Sequence, residues 1–226
     1  MAATKPELII GARGWNHAHW QGSFYPDDLP EEWRFSYYSN EFHAVLVPWE
    51  YLLAAGPGVV QEWVDEVNEQ FVFFIEVVMH LSWEKILPLI KPLAPQLGGI
   101  YLRNIESKRT ALLSDTEIET LMSKAGEFAP IIVDVNPLNQ QFHGIVARCS
   151  AGCYWQPENR VIKECRANIA LAETVAMTKH NPKSLKKIME DCRSVRGPTT
   201  IGFFIGGVAP NMEDLRNATM IWQMLG

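Results

Sequence analysis

Apolar positions along this chain fall into two alternating patterns: short continuous runs, and longer stretches in which they recur at helical spacing. Leu8 to Gly11 reads as a first strand and His43 to Val47 as a second. Between them, Asp28-Leu-Pro-Glu31 predicts a helix start, with aspartate at the N-cap, Pro30 in the first turn and Glu31 at the third position. Gly56-Pro57-Gly58 then opens a helix in which Val60, Trp63, Val64 and Val67 share a face. Phe71 to Val77 is almost unbroken in its apolar character, as expected of a strand covered on both faces. A helix is predicted from Ser82, interrupted at Pro88 and again near Pro92. Gly99 to Arg103 supplies a fourth strand, Ser114-Asp-Thr-Glu117 a capping box for the next helix, and Pro130 to Asp134 a fifth strand. Strand and helix in strict alternation predict a parallel sheet.

The second half is less regular. Gly144 to Ala147 reads as a strand, Glu158 to Thr178 as a helix, and Asn181-Pro182 as the cap and first turn of a basic helix ending near Cys192. Thr200 to Ile205 is a clear last strand, followed by a helix capped at Asn211 with Leu215, Ala218, Trp222 and Leu225 facing inward. Six or seven strands are legible in this pattern, one or two short of a full (β/α)8 barrel. Residues 137–157, punctuated by Pro137, Gly144, Gly152 and Pro157, read either as a lid or as the replacement of a missing unit.

Composition narrows the partners. The 226 residues, 47% hydrophobic and 20% charged, suit one domain spanning 1–226. A net charge of −6 argues against a surface that tracks nucleic-acid phosphates. No run approaches the roughly 18 apolar residues of a membrane helix, and the N-terminus lacks the apolar core of a signal peptide, so a cytoplasmic protein with no membrane partner is expected. Cys149, Cys153, Cys165 and Cys192 do not have metal-site spacing and are expected to be reduced, partly buried thiols. No cofactor is implied, and the oligomeric state stays open.

Residues 10–26 concentrate chemistry at the end of the first strand: Gly11, Arg13, Gly14, Trp15, His17, His19, Trp20, Gly22, Phe24 and Tyr25. The pattern Ile10-Gly11, Gly14-Trp15, Trp20, Gly22, Phe24-Tyr25-Pro26, followed by a Leu-Pro helix with Trp33 and Tyr38, resembles the opening of the YecE-like family, also known as domain of unknown function seventy-two. The likeness continues more weakly through Phe42, Val45, Phe71-x-Phe73, Phe204 and Asn217-Ala218. It implies an α/β, TIM-barrel-like (β/α) barrel, here with a second half that reads as incomplete or distorted, and it carries no established reaction. Against the family pattern, Ala12-Arg13 stands where Thr-Ser is usual, and Leu46-Val47-Pro48 replaces Glu-x-Asn. Glu76 stands for a lysine, Leu102-Arg103-Asn104 for Gln-x-Pro, Val135-Asn136 for Arg-His and Ile205-Gly206 for Asn-Asn.

In a barrel of this kind the mouth is formed by the C-terminal strand ends, so Arg13, Glu76, Arg103 and Asp134 are expected to converge there. Glu76 and Asp134 are the acid–base candidates, and Arg13 and Arg103 the ligand-binding groups; the plainer alternative is that Glu76 only neutralises an arginine. Trp15, Trp20 and Tyr25 offer a stacking floor for a ring, or else plug the barrel end. His17 with His19 is a weak metal pair, and no metal site is assigned; His43, His80, His143 and His180 read as structural or exposed. Gly206 and Gly207, between the last strand and a helix, are candidates for holding an anion through backbone N–H groups. Two functions stand side by side: a non-catalytic or degenerate member whose mouth binds a small molecule or a partner, and an acid–base enzyme for a small, ring-containing anionic substrate such as a sugar phosphate or nucleotide.

Overall fold

The computed structural model describes residues 5–78, 82–103, 114–134, 151–159, 162–175 and 180–225. Strands β1 (Glu7–Arg13), β2 (Ala44–Val47), β3 (Val72–Val78), β4 (Leu97–Arg103), β5 (Ile131–Asp134), β6 (Gly152–Trp155), β7 (Ile169–Thr174) and β8 (Thr200–Ile205) close into one barrel in chain order. All neighbouring pairs are parallel, and β1 joins β8 in register from Glu7↔Thr200 to Ala12↔Ile205. The helices among the described residues are α1 (Arg34–Glu41), α2 (Trp49–Asp65), α3 (Trp83–Ile90), α4 (Asp115–Gly126), α5 (Pro182–Arg193) and α6 (Met212–Leu225).

The barrel is complete, which corrects the expectation of six or seven strands and an unfinished second half. The miscount has a physical source. Residues 158–178 read as one helix, yet Ile169–Thr174 is β7, buried at every position. A strand enclosed on both faces shows no alternation, so its apolar run is compatible with either element until its neighbours β6 and β8 are in place. The strand predicted at Gly144 to Ala147 lies outside the described residues.

Local rules explain the remaining differences. Asp28 does not cap a helix: Pro30 is extended and a 3₁₀ turn at Glu31–Trp33 leads into α1. The proline ring pushes the preceding Leu29 out of the helical region, so helix cannot begin at Asp28. Helix α2 is two helical stretches joined at Gly56, whose φ of 71° and ψ of 170° are non-helical: the second starts where Gly56-Pro57-Gly58 predicted it, and a first stretch from Trp49 precedes it. Helix α3 runs through Pro88 because that residue and Glu84, whose carbonyl loses its bond, both face solvent. The Ser114–Glu117 capping box, the Asn181 cap and the Asn211 side chain accepting from Glu213 and Asp214 form as expected.

Strand alternation sorts the core into two bodies. Outward residues such as Phe73, Ile75 and Val77 pack with the helices and with the aromatic loop after β1. Inward residues Ala44, Leu46, Phe74, Tyr101, Ile132, Tyr154, Leu171 and Phe204 fill the barrel itself. The filled interior leaves chemistry to the C-terminal end, where the inward series of β1, β4, β5 and β7 terminates in Arg13, Arg103, Asp134 and Glu173, and that of β3 carries Glu76 one step before its last residue, Val78.

Candidate functional site

At that end Glu76 is wholly buried and is held between two guanidinium groups. Arg13 Nη2 forms an ion pair with Glu76 Oε2, and Arg103 Nη1 donates to Oε1 at 2.7 Å. The Arg13 side chain is mostly buried, whereas that of Arg103 is 44% exposed. Burial opposes the charge on Arg13, yet Glu76 and then Glu173 outweigh it and raise its pKa. Arg103 follows the same balance, with burial offset by its hydrogen bond to Glu76. Asp134 stands on β5 at the same level, and its charge, after burial, adds to the upward shift of the Tyr101 phenol.

The sequence reading missed a third carboxylate at this end. Glu173, 4% exposed, accepts a hydrogen bond from the Tyr154 hydroxyl at 2.8 Å, and Tyr154 stacks on Tyr101 with ring centroids 4.1 Å apart. Burial raises the pKa of Glu173, against the opposing effects of Arg13, the Tyr154 hydroxyl and the Gly207 N–H. Gly206 makes room for it, since a Cβ there would lie 1.9 Å from Glu173 Oε1. A signal was present: Ile-Ala-Leu-Ala-Glu ends an apolar run in a carboxylate just as Phe-Val-Phe-Phe-Ile-Glu does at Glu76. The helix reading of 158–178 concealed it.

The aromatic loop after β1 packs as a plug. Trp15 lies against Phe35, Tyr51 and Trp63, and Trp20 against His17, Phe24, Tyr25 and Tyr38. Trp15, Trp20 and Tyr25 are all buried, so their faces meet other side chains rather than the open mouth. Tyr25 donates to the Trp15 carbonyl at 2.6 Å. His19 Nε2 and Trp20 Nε1 both donate to the Pro210 carbonyl, at 2.9 and 2.7 Å, tying this loop to the one after β8. His17 Nε2 donates to the Arg13 carbonyl at 2.9 Å, and burial lowers its pKa to about 4, so its ring is neutral and engaged.

A further network lies at the ends of β6 and β7. His180 Nε2 is 2.8 Å from Thr174 Oγ1 and 3.4 Å from Glu158 Oε1. One nitrogen serves both, so this is not a nucleophile–base–carboxylate relay, which uses the two ring nitrogens separately. The hydrogen bond to Glu158 raises the His180 pKa despite burial. Cys153, Cys165 and Cys192 are buried, and Cys165 is hydrogen-bonded with Cys153. Cys149, His80 and His143 lie outside the described residues. Among the described residues no group of three or more His, Cys, Asp or Glu is placed to hold a metal ion, and no helix is long and apolar enough to cross a membrane.

Eight parallel strands with helices outside and a polar layer at the strand C-termini define a TIM-barrel protein. Residues 9–148 match the family described as protein of unknown function DUF72, and the chain belongs to that family. Over 96% of its length it superimposes on 98% of a DUF72 family protein from Thermotoga maritima, with 15% identity and a TM-score of 0.63. A DUF72 family protein from Enterococcus faecalis aligns over 99% of this chain and 98% of its own, at 12% identity and a TM-score of 0.63. A D-psicose 3-epimerase crystallised in the presence of D-fructose shares only 6% identity and a TM-score of 0.51, a likeness of fold alone. No curated protein matches the sequence.

Proposed function

We propose that the C-terminal mouth of the barrel binds a small polar molecule without transforming it, and that Glu76 serves there as a counter-ion. The observation that carries this reading is the asymmetry of the two arginines. Glu76 is clamped by both, so it is poorly placed to give or take a proton, while Arg103 bonds it with one Nη and keeps a half-exposed guanidinium with further donors for a ligand. A thermal-shift screen with sugars, nucleotides and sugar phosphates tests it. A ligand at about a hundred times its Kd adds about 2.7 kcal/mol of stability, and Arg103→Ala is expected to abolish that gain while leaving a folded barrel. If no class of compound raises the melting temperature, the reading fails.

One observation favours the second reading, acid–base chemistry on the bound molecule. Glu173 is a buried carboxyl with a raised pKa at the catalytic end of the barrel, and it takes the place the sequence reading gave to Glu76. Chemical change in any ligand that binds, lost in Glu173→Gln, supports this reading over simple binding.

A further inference from the structure

The polar layer carries its own charge balance. Among the described residues the inward side chains at this end include two cations, Arg13 and Arg103, and three carboxyl groups, Glu76, Asp134 and Glu173. Both guanidiniums are already drawn to Glu76. The turn after β8, where a barrel of this class holds phosphate through backbone N–H groups, is turned to another use: the Gly207 N–H is hydrogen-bonded to Glu173, and the Glu173 carboxyl occupies the space over Gly206. Tyr154, braced by its stack on Tyr101, fixes the carboxyl from the other side.

We propose that this mouth selects a neutral, hydroxyl-rich molecule over its phosphorylated counterpart, and that Glu173 is the residue that sets the preference. The inference rests on the binding reading above. A hydroxyl group both donates and accepts, so it suits the guanidinium donors of Arg103 and the acceptor oxygens of Glu173 together. A phosphate only accepts; to reach the glycine N–H groups it must displace Glu173, and it then sits beside the negative Glu76. Among the described residues the groups facing Glu173 are Arg13 from β1, Glu76 from β3, Tyr154 from β6 and the Gly207 N–H, and the Arg13 guanidinium is shared with Glu76.

The test is calorimetric titration with matched pairs: glucose and glucose 6-phosphate, fructose and fructose 6-phosphate, ribose and ribose 5-phosphate. At least one neutral sugar is expected to bind the wild type about tenfold or more tightly than its phosphate, the scale of one unscreened like-charge contact. Glu173→Gln keeps the size of the side chain but cannot carry a negative charge beside a phosphate, and is expected to narrow that ratio. Phosphates that bind more tightly to the wild type, or a ratio that Glu173→Gln does not move, overturn the inference while the binding reading stands. If neither member of any pair binds, the inference is refuted, and the wider thermal-shift screen decides the binding reading separately. Should Glu173→Gln fail to fold, Gly206→Ala, which forces the same carboxyl to move, supplies the comparison.

Discussion

Breaking the Glu76 cluster is expected to destabilise the fold in a way that depends on which partner is left behind. Glu76→Leu strands the Arg13 guanidinium, mostly buried, without its counter-ion; Arg103 is 44% exposed and turns to solvent. Removing one member of a buried pair costs about 3–5 kcal/mol, whereas an exposed pair is worth about 0–1 kcal/mol, so nearly all of the loss comes from Arg13. At roughly 2–4 °C per kcal/mol for a chain of this size, the single variant should melt roughly 6–20 °C below the wild type. Arg13→Met should lose a similar amount by stranding Glu76, with Arg103 as its remaining partner. The double variant Arg13→Met with Glu76→Leu removes both charges and fills the space with apolar atoms, so its stability should return toward that of the wild type. The assay is urea and thermal unfolding of the four proteins as a double-mutant cycle. Single losses below about 1 kcal/mol, or losses that simply add in the double variant, refute the view that these two residues chiefly satisfy each other.

Three more outcomes follow from the same groups. Burial lowers His17 to about 4, below its unfolded value near 6.5, so the unfolded chain binds the extra proton and stability falls as pH drops from about 6.5 toward 4; His17→Gln should flatten that part of the curve, and an NMR titration should find the ring staying neutral as pH falls through 6.5 and taking up its proton only near 4. Glu173 shifts the other way: its folded pKa is raised, so its contribution is complete below the ordinary carboxylate range and is lost as pH rises toward the folded value. Glu173→Gln should remove that decline in pH-dependent unfolding, and an unchanged profile counts against a proton on Glu173. Gly206→Ala puts a Cβ 1.9 Å from Glu173 Oε1 and should cost about 1–3 kcal/mol; adding Glu173→Ala should recover part of it, and equal losses in the two proteins would show that the carboxyl is not what the methyl meets.

Much of the alternation was legible because its signals are local. The Ser114–Glu117 capping box, the strands around Phe71 to Val77 and Gly99 to Arg103, and the Asn181 and Asn211 caps depend on a few neighbouring residues and formed where their chemistry placed them. The pairing of Glu76 with an arginine was also legible, since a carboxylate ending an apolar run must find a cation or give up its charge. Strand β7 was not, because a run buried on both faces has no period to read. With it went Glu173, and with Glu173 the carboxyl that now occupies the turn at Gly206.

The amino-acid order by itself determined the alternation of strand and helix, the aromatic loop after the first strand and the charged residues at the strand ends, because these follow from turn chemistry and hydrophobic period. Only the tertiary structure decided that the sheet closes with eight strands, that Trp15, Trp20 and Tyr25 turn inward to the packing, and that Glu76 is held by Arg13 and Arg103 while Glu173 rests on Tyr154. The reason is physical. Barrel closure and charge pairing join residues far apart in the chain, and their energies depend on burial that exists only once every strand has found its neighbour.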